Sequence, residues 1–427
     1  MINKKRPRPL TRDSLTVNRP GRGRWRAFLA VMGPGLVVML ADTDVGSIIT
    51  AGASGVQWGY RLLALQFILI PILYIVQELT VRLGIFTGKG HGELIREAFG
   101  RQWAWVSVTG LGVATIGALV TEFSGVAGVG ELFGVPRAVS LALAAGFLLV
   151  VVWTGSYRRV ERVAIALGLF ELAFFWVAYE AHPQGVEMAE GLTHMPFDNK
   201  DYLYLVAANL GAVIMPWMIF YQQSAVADKK LRPDQYRDAR LDTAIGAVVT
   251  QLIMAAILVA AAATIGKTNS AASLNSIGDI ANALTPFLGP EIGRIVFGLG
   301  TLGAAMVAAI VVSLASAWGF GEVTGYKHSL EHHPLEAPWF YGVFTAAVVL
   351  GAIAVALVPD LVRLNIAVEV MNALMLPLVL GLLVMLAIRM LPDEHRLRGP
   401  YKWVVIVIAS LTSALGVYGG LSGAGLF

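Results

Sequence analysis

A chain of 427 residues that is 56% hydrophobic and only 14% charged has too few charges for a water-soluble fold, in which charged residues approach about a quarter of the chain. With a mean hydropathy of +0.68, it reads as a polytopic membrane protein. The absence of cysteine excludes disulfides, thiolate metal sites and cysteine nucleophiles.

Residues 1–26 carry nine Lys and Arg against the single acid Asp13, with no apolar run. A secretory signal needs an apolar centre, so this arm reads instead as a cytoplasmic topology signal that touches anionic lipid; a nucleic-acid-binding role is not expected. Eleven spans follow, near 27–50, 60–84, 103–129, 136–155, 163–181, 202–226, 243–265, 292–318, 339–358, 364–388 and 402–425. Each is long enough to cross about 30 Å of hydrocarbon as a helix. With the amino terminus inside, 26 of the 32 Lys and Arg fall in inner segments and 6 in outer ones. That asymmetry follows the positive-inside rule and puts the carboxyl terminus outside. The reading is a single transmembrane domain over 27–427, with repeats of five helices at about 27–181 and 202–388 and an extra helix at about 402–425. It is placed as a monomer in the inner membrane of the cell.

Two spans contain residues that a plain anchor would avoid. Span 1 holds Asp42 and Asp44 in the run LADTDVGSIIT, where a buried charge costs about 3 kcal/mol or more unless something compensates it. Span 6 holds Gly211 and Pro216 in GAVIMPWMIFYQQS. Spans 1 and 6 are the same helix of two five-helix repeats, and paired interruptions of this kind mark the midplane substrate site of many secondary transporters. Pro216 has no N–H, so the Ala212 carbonyl is expected to lose its helical partner, with Met215 on the same helix face. On an intact helix Asp42 and Asp44 would point about 200° apart, so span 1 is expected to unwind at Gly46. Asp44, the Ser47 hydroxyl, the Ala212 carbonyl and Met215 sulfur would then converge, a donor set that suits a divalent cation.

These residues resemble the Nramp family of divalent-metal transporters, which share the LeuT-type inverted-repeat fold. The likeness runs through GPGLVVMLADTDVGS, WGYRLL, RLGIFTGKGHGEL, ELFGVP, RRVERV, GAVIMPW and RLDTAI. The resemblance implies an all-α integral membrane protein with discontinuous helices 1 and 6. It implies Asp44, the Ala212 carbonyl and Met215 as metal ligands, with Ser47 where the family has a longer amide and therefore more room for water on the ion. Glu369 falls where the family has a Gln near the metal, on a face shared with Asn365, Asn372 and Leu376.

Other positions depart from the family in ways that bear on proton coupling. Trp217 replaces a His, a second His falls among Gln222 and Gln223, and of two acids in span 3 only Glu122 remains, the other being Gly125. Asp42 and Glu122 are the acids left to carry a proton.

The expected activity is uptake of Mg²⁺, Mn²⁺ or both by alternating access, weakly coupled or uncoupled to protons, with the metal as substrate and no cofactor. The alternatives are a proton-coupled Mn²⁺/Fe²⁺ importer, a carrier of an organic cation or amino acid on the same scaffold, and a membrane sensor that transports nothing. No nucleophile elbow, phosphate loop or His-rich metal motif occurs, so an enzyme is not expected.

Overall fold

The computed structural model describes residues 31–268, 279, 281, 288–357 and 361–425; the basic arm therefore lies outside the described residues. Among these residues every regular element is helical. The helices, in chain order, are α1 (Pro34–Asp42), α2 (Val45–Trp58), α3 (Leu63–Thr87), α4 (His91–Phe99), α5 (Arg101–Leu132), α6 (Arg137–Trp153), α7 (Tyr157–Gly168) and α8 (Ala173–Glu180). They continue with α9 (Gly185–Thr193), α10 (Lys200–Val213), α11 (Pro216–Asp228), α12 (Tyr236–Thr268), α13 (Pro290–Thr324), α14 (Pro338–Leu357), α15 (Leu361–Arg389) and α16 (Gly399–Gly423).

Eleven crossings account for the long elements among the described residues. Span 1 is α1 plus α2, span 6 is α10 plus α11, and span 5 is α7 and α8 joined by a 3-10 segment at Leu169–Leu172. Nine of the apolar helical stretches exceed the length needed to cross hydrocarbon, and Arg137–Trp153 supplies a shorter one. The stretch Val45–Thr87 runs as one because a 3-10 turn at Gly59–Leu62 links α2 to α3 almost without interruption. Two helices outside the spans, α4 and α9, add to the expected set. Both are nine residues long and lie in segments whose polarity reads as loop.

Span 6 is almost wholly enclosed by protein, whereas the last span turns most of its surface outward. The two broken helices therefore form the centre of the bundle, with α12, α13 and α15 packed about them. Small residues set the closest approaches. At Gly211 of α10 an added Cβ would overlap the backbone carbonyl of Glu369, and at Gly55 of α2 that of Leu258 on α12. Backbone-to-backbone packing of this kind holds membrane helices together where lipid provides no hydrophobic drive between them.

Candidate functional site

The interruption in span 1 falls at Thr43 and Asp44, two residues before the glycine at which unwinding is expected from the sequence. Asp44 is the reason. Its backbone is extended, and its carboxylate accepts the Ser47 N–H at 2.7 Å, so it caps the amino terminus of α2 as aspartate commonly does. Gly46 is helical and matters for another reason, since an added Cβ there would overlap Glu369 Oε1 and press on Thr121 Cγ2. Its missing side chain is what lets the carboxyl of α15 reach the break.

Span 6 also differs in detail from the helical-face argument. Helix α10 ends at Val213, Ile214 and Met215 are non-helical, and Pro216 is the first residue of α11. Proline is pre-organised for that position and leaves no interior hydrogen bond unmade. Ala212 and Met215 therefore lie on the two sides of a break, not on one helix face. The Ala212 carbonyl is engaged, since Ser47 Oγ donates to it at 3.2 Å.

That hydrogen bond ties the two breaks directly. Glu369 sits against both, with its side chain at Gly46 and its backbone at Gly211. Its Oε2 accepts from Asn372 Nδ2 at 3.1 Å. Glu122 completes the group from α5, where its Oε2 accepts the Val45 N–H at 3.3 Å and its carboxyl faces that of Asp44. Asp42, Asp44, Glu122 and Glu369 are each at most 1% exposed. Asp42 Oδ1, Asp44 Oδ2 and Glu122 Oε1 have no hydrogen-bond partner. Several buried carboxyls with spare oxygens require protons or a cation, because isolated charge in a low-dielectric interior is costly. The carboxyl-terminal ends of α1 and α10 add the negative poles of two half-helices to the same region.

Among the described residues no three His, Asp or Glu side chains approach closely enough to hold a metal ion by themselves. Any ion seated here would need donors of other kinds. The Ala212 carbonyl, which already accepts from Ser47 Oγ, and the fully buried Met215 thioether lie at the span 6 break.

Several sequence candidates are drawn elsewhere. Gln222 accepts from Thr80 Oγ1 at 2.6 Å and donates to Thr243 Oγ1 at 2.9 Å. Gln223 pairs with His91 Nδ1 at 2.9 Å and donates to the Lys89 carbonyl at 3.1 Å. They bind α11 to α3, α12 and α4, about two turns beyond Met215. Trp217 is buried, and its Nε1 has no partner. Gly125 faces Val45, whose Cγ atoms occupy the space a side chain would need.

Two further polar clusters, which sequence reading missed, tie neighbouring segments together. In one, Gln66 Nε2 donates to Asn209 Oδ1 at 2.6 Å, and Asn209 Nδ2 donates to Ser54 Oγ at 2.9 Å. In the other, Asp242 accepts the N–H groups of Gly33, Gly35 and Leu36 at 2.9–3.3 Å. Beside it, Lys229 Nζ donates to the Val31 and Met32 carbonyls and pairs with Glu161 at 2.7 Å. Asp242 lies in RLDTAI and Glu161 in RRVERV, so these resemblance segments act together to hold the amino terminus of α1.

A helical bundle built on two discontinuous helices, with an enclosed polar group at the breaks, is the architecture of an α-helical membrane transporter of the LeuT-type fold. A profile described as natural resistance-associated macrophage protein-like matches residues 35–422, and the chain belongs to the Nramp family. It is 28% identical over 309 residues to a protein of Agrobacterium fabrum named divalent metal cation transporter MntH, covering 70% of this chain and 67% of that one. A protein of the same name from Yersinia enterocolitica is 30% identical over 312 residues, covering 71% and 75%. A crystal structure of the Eremococcus coleocola manganese transporter superposes with a TM-score of 0.77 over 97% of this chain and 92% of that one, at 19% identity. A Na⁺-coupled sialic acid symporter shares the fold more distantly, with a TM-score of 0.62 at 15% identity over 97% and 93%.

Proposed function

We propose that the chain takes up divalent metal ions, Mg²⁺ and Mn²⁺, by alternating access around the joined breaks of spans 1 and 6. The observation that carries this reading is that Asp44 uses one carboxylate oxygen to cap α2 and leaves the other unpartnered, while Ser47 of the same turn reaches the Ala212 carbonyl. Asp44, Ser47, the Ala212 carbonyl, Met215 and Glu369 are the proposed ligands, with Asn372 holding Glu369 in position.

Ion preference follows from the donors. Carboxylates, a hydroxyl and a short side chain at position 47 leave room for retained water, which suits Mg²⁺. A thioether favours a softer ion and brings Mn²⁺ within range. The relatives named as divalent metal cation transporters support metal as the cargo.

Coupling through the family's usual acid and imidazole positions is absent from this reading. Trp217 does not titrate, and Gly125 has no room for an acid because Val45 fills the space. The inside-negative potential then supplies the drive: two charges crossing 100 mV release about 4.6 kcal/mol. The positive-inside distribution supports a cytoplasmic amino terminus, an outer carboxyl terminus and placement in the inner membrane. The working unit is proposed to be a monomer.

Uptake of Mg²⁺ and Mn²⁺ into proteoliposomes tests the assignment. Asp44→Ala should abolish uptake of both ions, and Met215→Ala should weaken Mn²⁺ more than Mg²⁺. Full transport by Asp44→Ala would remove span 1 from the site.

A further inference from the structure

One basic group at the edge of the bundle is left over when its charges are paired. Glu78 of α3 is fully buried, and Arg82, one turn on, binds it through Nε and Nη2 at 2.7–3.1 Å. The Tyr236 hydroxyl donates to the same carboxylate. Arg240 of α12 stands 3.7 Å from Glu78 Oε1, but that acid is already matched by Arg82. Among the described residues Glu78 is the one carboxylate that either guanidinium meets. Two cations therefore share one anion, and the cluster keeps a net positive charge.

The surplus falls on Arg240. Its side chain is 44% exposed, against 13% for Arg82, and its hydrogen bonds, at 3.0–3.1 Å, go to a neutral oxygen, the Tyr74 hydroxyl. Aromatic rings surround the pair. Arg240 Cζ lies 5.5 Å from the centre of the Tyr236 ring, and Arg82 Cζ lies 5.7 Å from that of Tyr401 near the start of α16. Next along, Lys402 Nζ is 5.6 Å from the centre of the Trp403 ring. Cations set among tyrosine and tryptophan mark the boundary between hydrocarbon and headgroups. Beyond that boundary α12 turns Leu241, Ile245 and Val248 outward, about one turn apart on a single face. A guanidinium matches a phosphate in shape and charge, and an apolar stripe leading away from it matches a hydrocarbon chain.

We propose that Arg240, set against Tyr74 and Tyr236, holds the phosphate of one anionic phospholipid whose acyl chain lies along Leu241, Ile245 and Val248. Basic sites between membrane helices on the cytoplasmic side take such headgroups, and Arg240 belongs to a segment that the positive-inside distribution turns that way. The stripe favours a lipid over a soluble phosphate, which would reach the guanidinium but not the apolar face. Through Arg82 and Tyr401 the cluster also joins α3 and α12 to α16, so a headgroup seated here braces three spans from outside. The inference does not depend on which ion the chain carries.

The test is native mass spectrometry of the full chain in detergent, stripped of co-purified lipid and titrated with dioleoyl phosphatidylglycerol or dioleoyl phosphatidylcholine. The wild type should bind the anionic lipid about fivefold more tightly, the size expected for one basic side chain at a membrane surface. Arg240→Gln should bring the two lipids level, whereas Arg159→Gln, which removes an exposed charge from another inner segment, should keep the preference. Arg240→Lys, which retains the charge and loses the planar fork, should lower the preference in part and guards against a Gln variant that does not fold. Thermal unfolding separates the two sources of phosphate: phosphatidylglycerol should raise the wild-type midpoint, and inorganic phosphate at the same concentration should not. Equal affinity of the wild type for the two lipids overturns the proposal without recourse to any variant. So does an undiminished preference in Arg240→Gln, or an equal loss in Arg159→Gln, which would mean diffuse attraction to the whole basic face. Stabilisation by inorganic phosphate as large as that by the lipid would overturn the assignment to a lipid.

Discussion

The Ser47 hydroxyl and the Ala212 carbonyl meet at 3.2 Å, so a single hydrogen bond joins two helix breaks that are 165 residues apart in sequence. A serine makes this contact with a short side chain. Replacing it with the longer amide that the Nramp resemblance places here should bring a further donor group to the ion and displace water from it. Ser47→Asn is expected to shift the ratio of Mn²⁺ to Mg²⁺ affinity towards Mn²⁺ by about tenfold, equal to about 1.4 kcal/mol. Calorimetric titration of both ions checks this, and an unchanged ratio would show that residue 47 does not set the room for hydration.

Glu369 reaches the span 1 break only because Gly46 has no side chain. Gly46→Ala should displace the carboxyl and destabilise the protein by about 1–3 kcal/mol, the usual cost of overpacking. Thermal unfolding reads this cost directly. In a Glu369→Ala background the same substitution should cost much less, since residues in contact are not additive. Equal costs in both backgrounds would mean that the two residues do not meet.

The degree to which the sequence disclosed this arrangement depends on what each feature rests upon. Hydropathy and basic-residue asymmetry reveal the spans because lipid forces long apolar helices. The breaks are visible because Asp42, Asp44 and Pro216 are costly in such helices. Their positions are less visible. Whether Asp44 ends α1 or Gly46 unwinds it is settled by a local contest between a side-chain cap and the helix, which the cap wins. Glu171 stands in a span of ordinary composition, and its complete burial depends on packing between distant segments. Gln222 and Gln223 are candidates through alignment with a histidine, yet their amides bind Thr80 and His91 of neighbouring helices. Lys229 and Asp242 read as basic-loop and helix-entry residues, in that order, until the amino terminus of α1 is seen against them.

Restoring the family's second acid in span 3 should fail for a steric reason. Gly125 packs directly on Val45, which starts α2 next to Asp44. Gly125→Glu is expected to lose about 1–3 kcal/mol of stability through overpacking and to gain no metal-driven acidification of vesicles. Adding Val45→Ala should recover part of the stability. A well-folded Gly125→Glu protein would show that the α2–α5 contact is looser than described.

His91 at the start of α4 supplies a pH dependence away from the membrane interior. Burial lowers its pKa from 6.5 to about 4, against a smaller opposing effect of the Gln223 hydrogen bond. Between those values the unfolded chain holds the proton and the folded chain does not, so stability falls as pH drops from about 6.5 towards 4. The full loss is about 3 kcal/mol at one pKa unit per 1.36 kcal/mol. His91→Gln should flatten this part of the profile, as followed by thermal unfolding of purified protein across pH. An unaltered profile would place the acid sensitivity elsewhere.

The most direct test of the whole account is anomalous diffraction from crystals of the protein soaked in Mn²⁺. The account predicts one strong peak between Asp44 and the Ala212–Met215 break, within coordination distance of both, and its loss in Asp44→Ala crystals. A peak seated elsewhere, or none at saturating Mn²⁺, would contradict it.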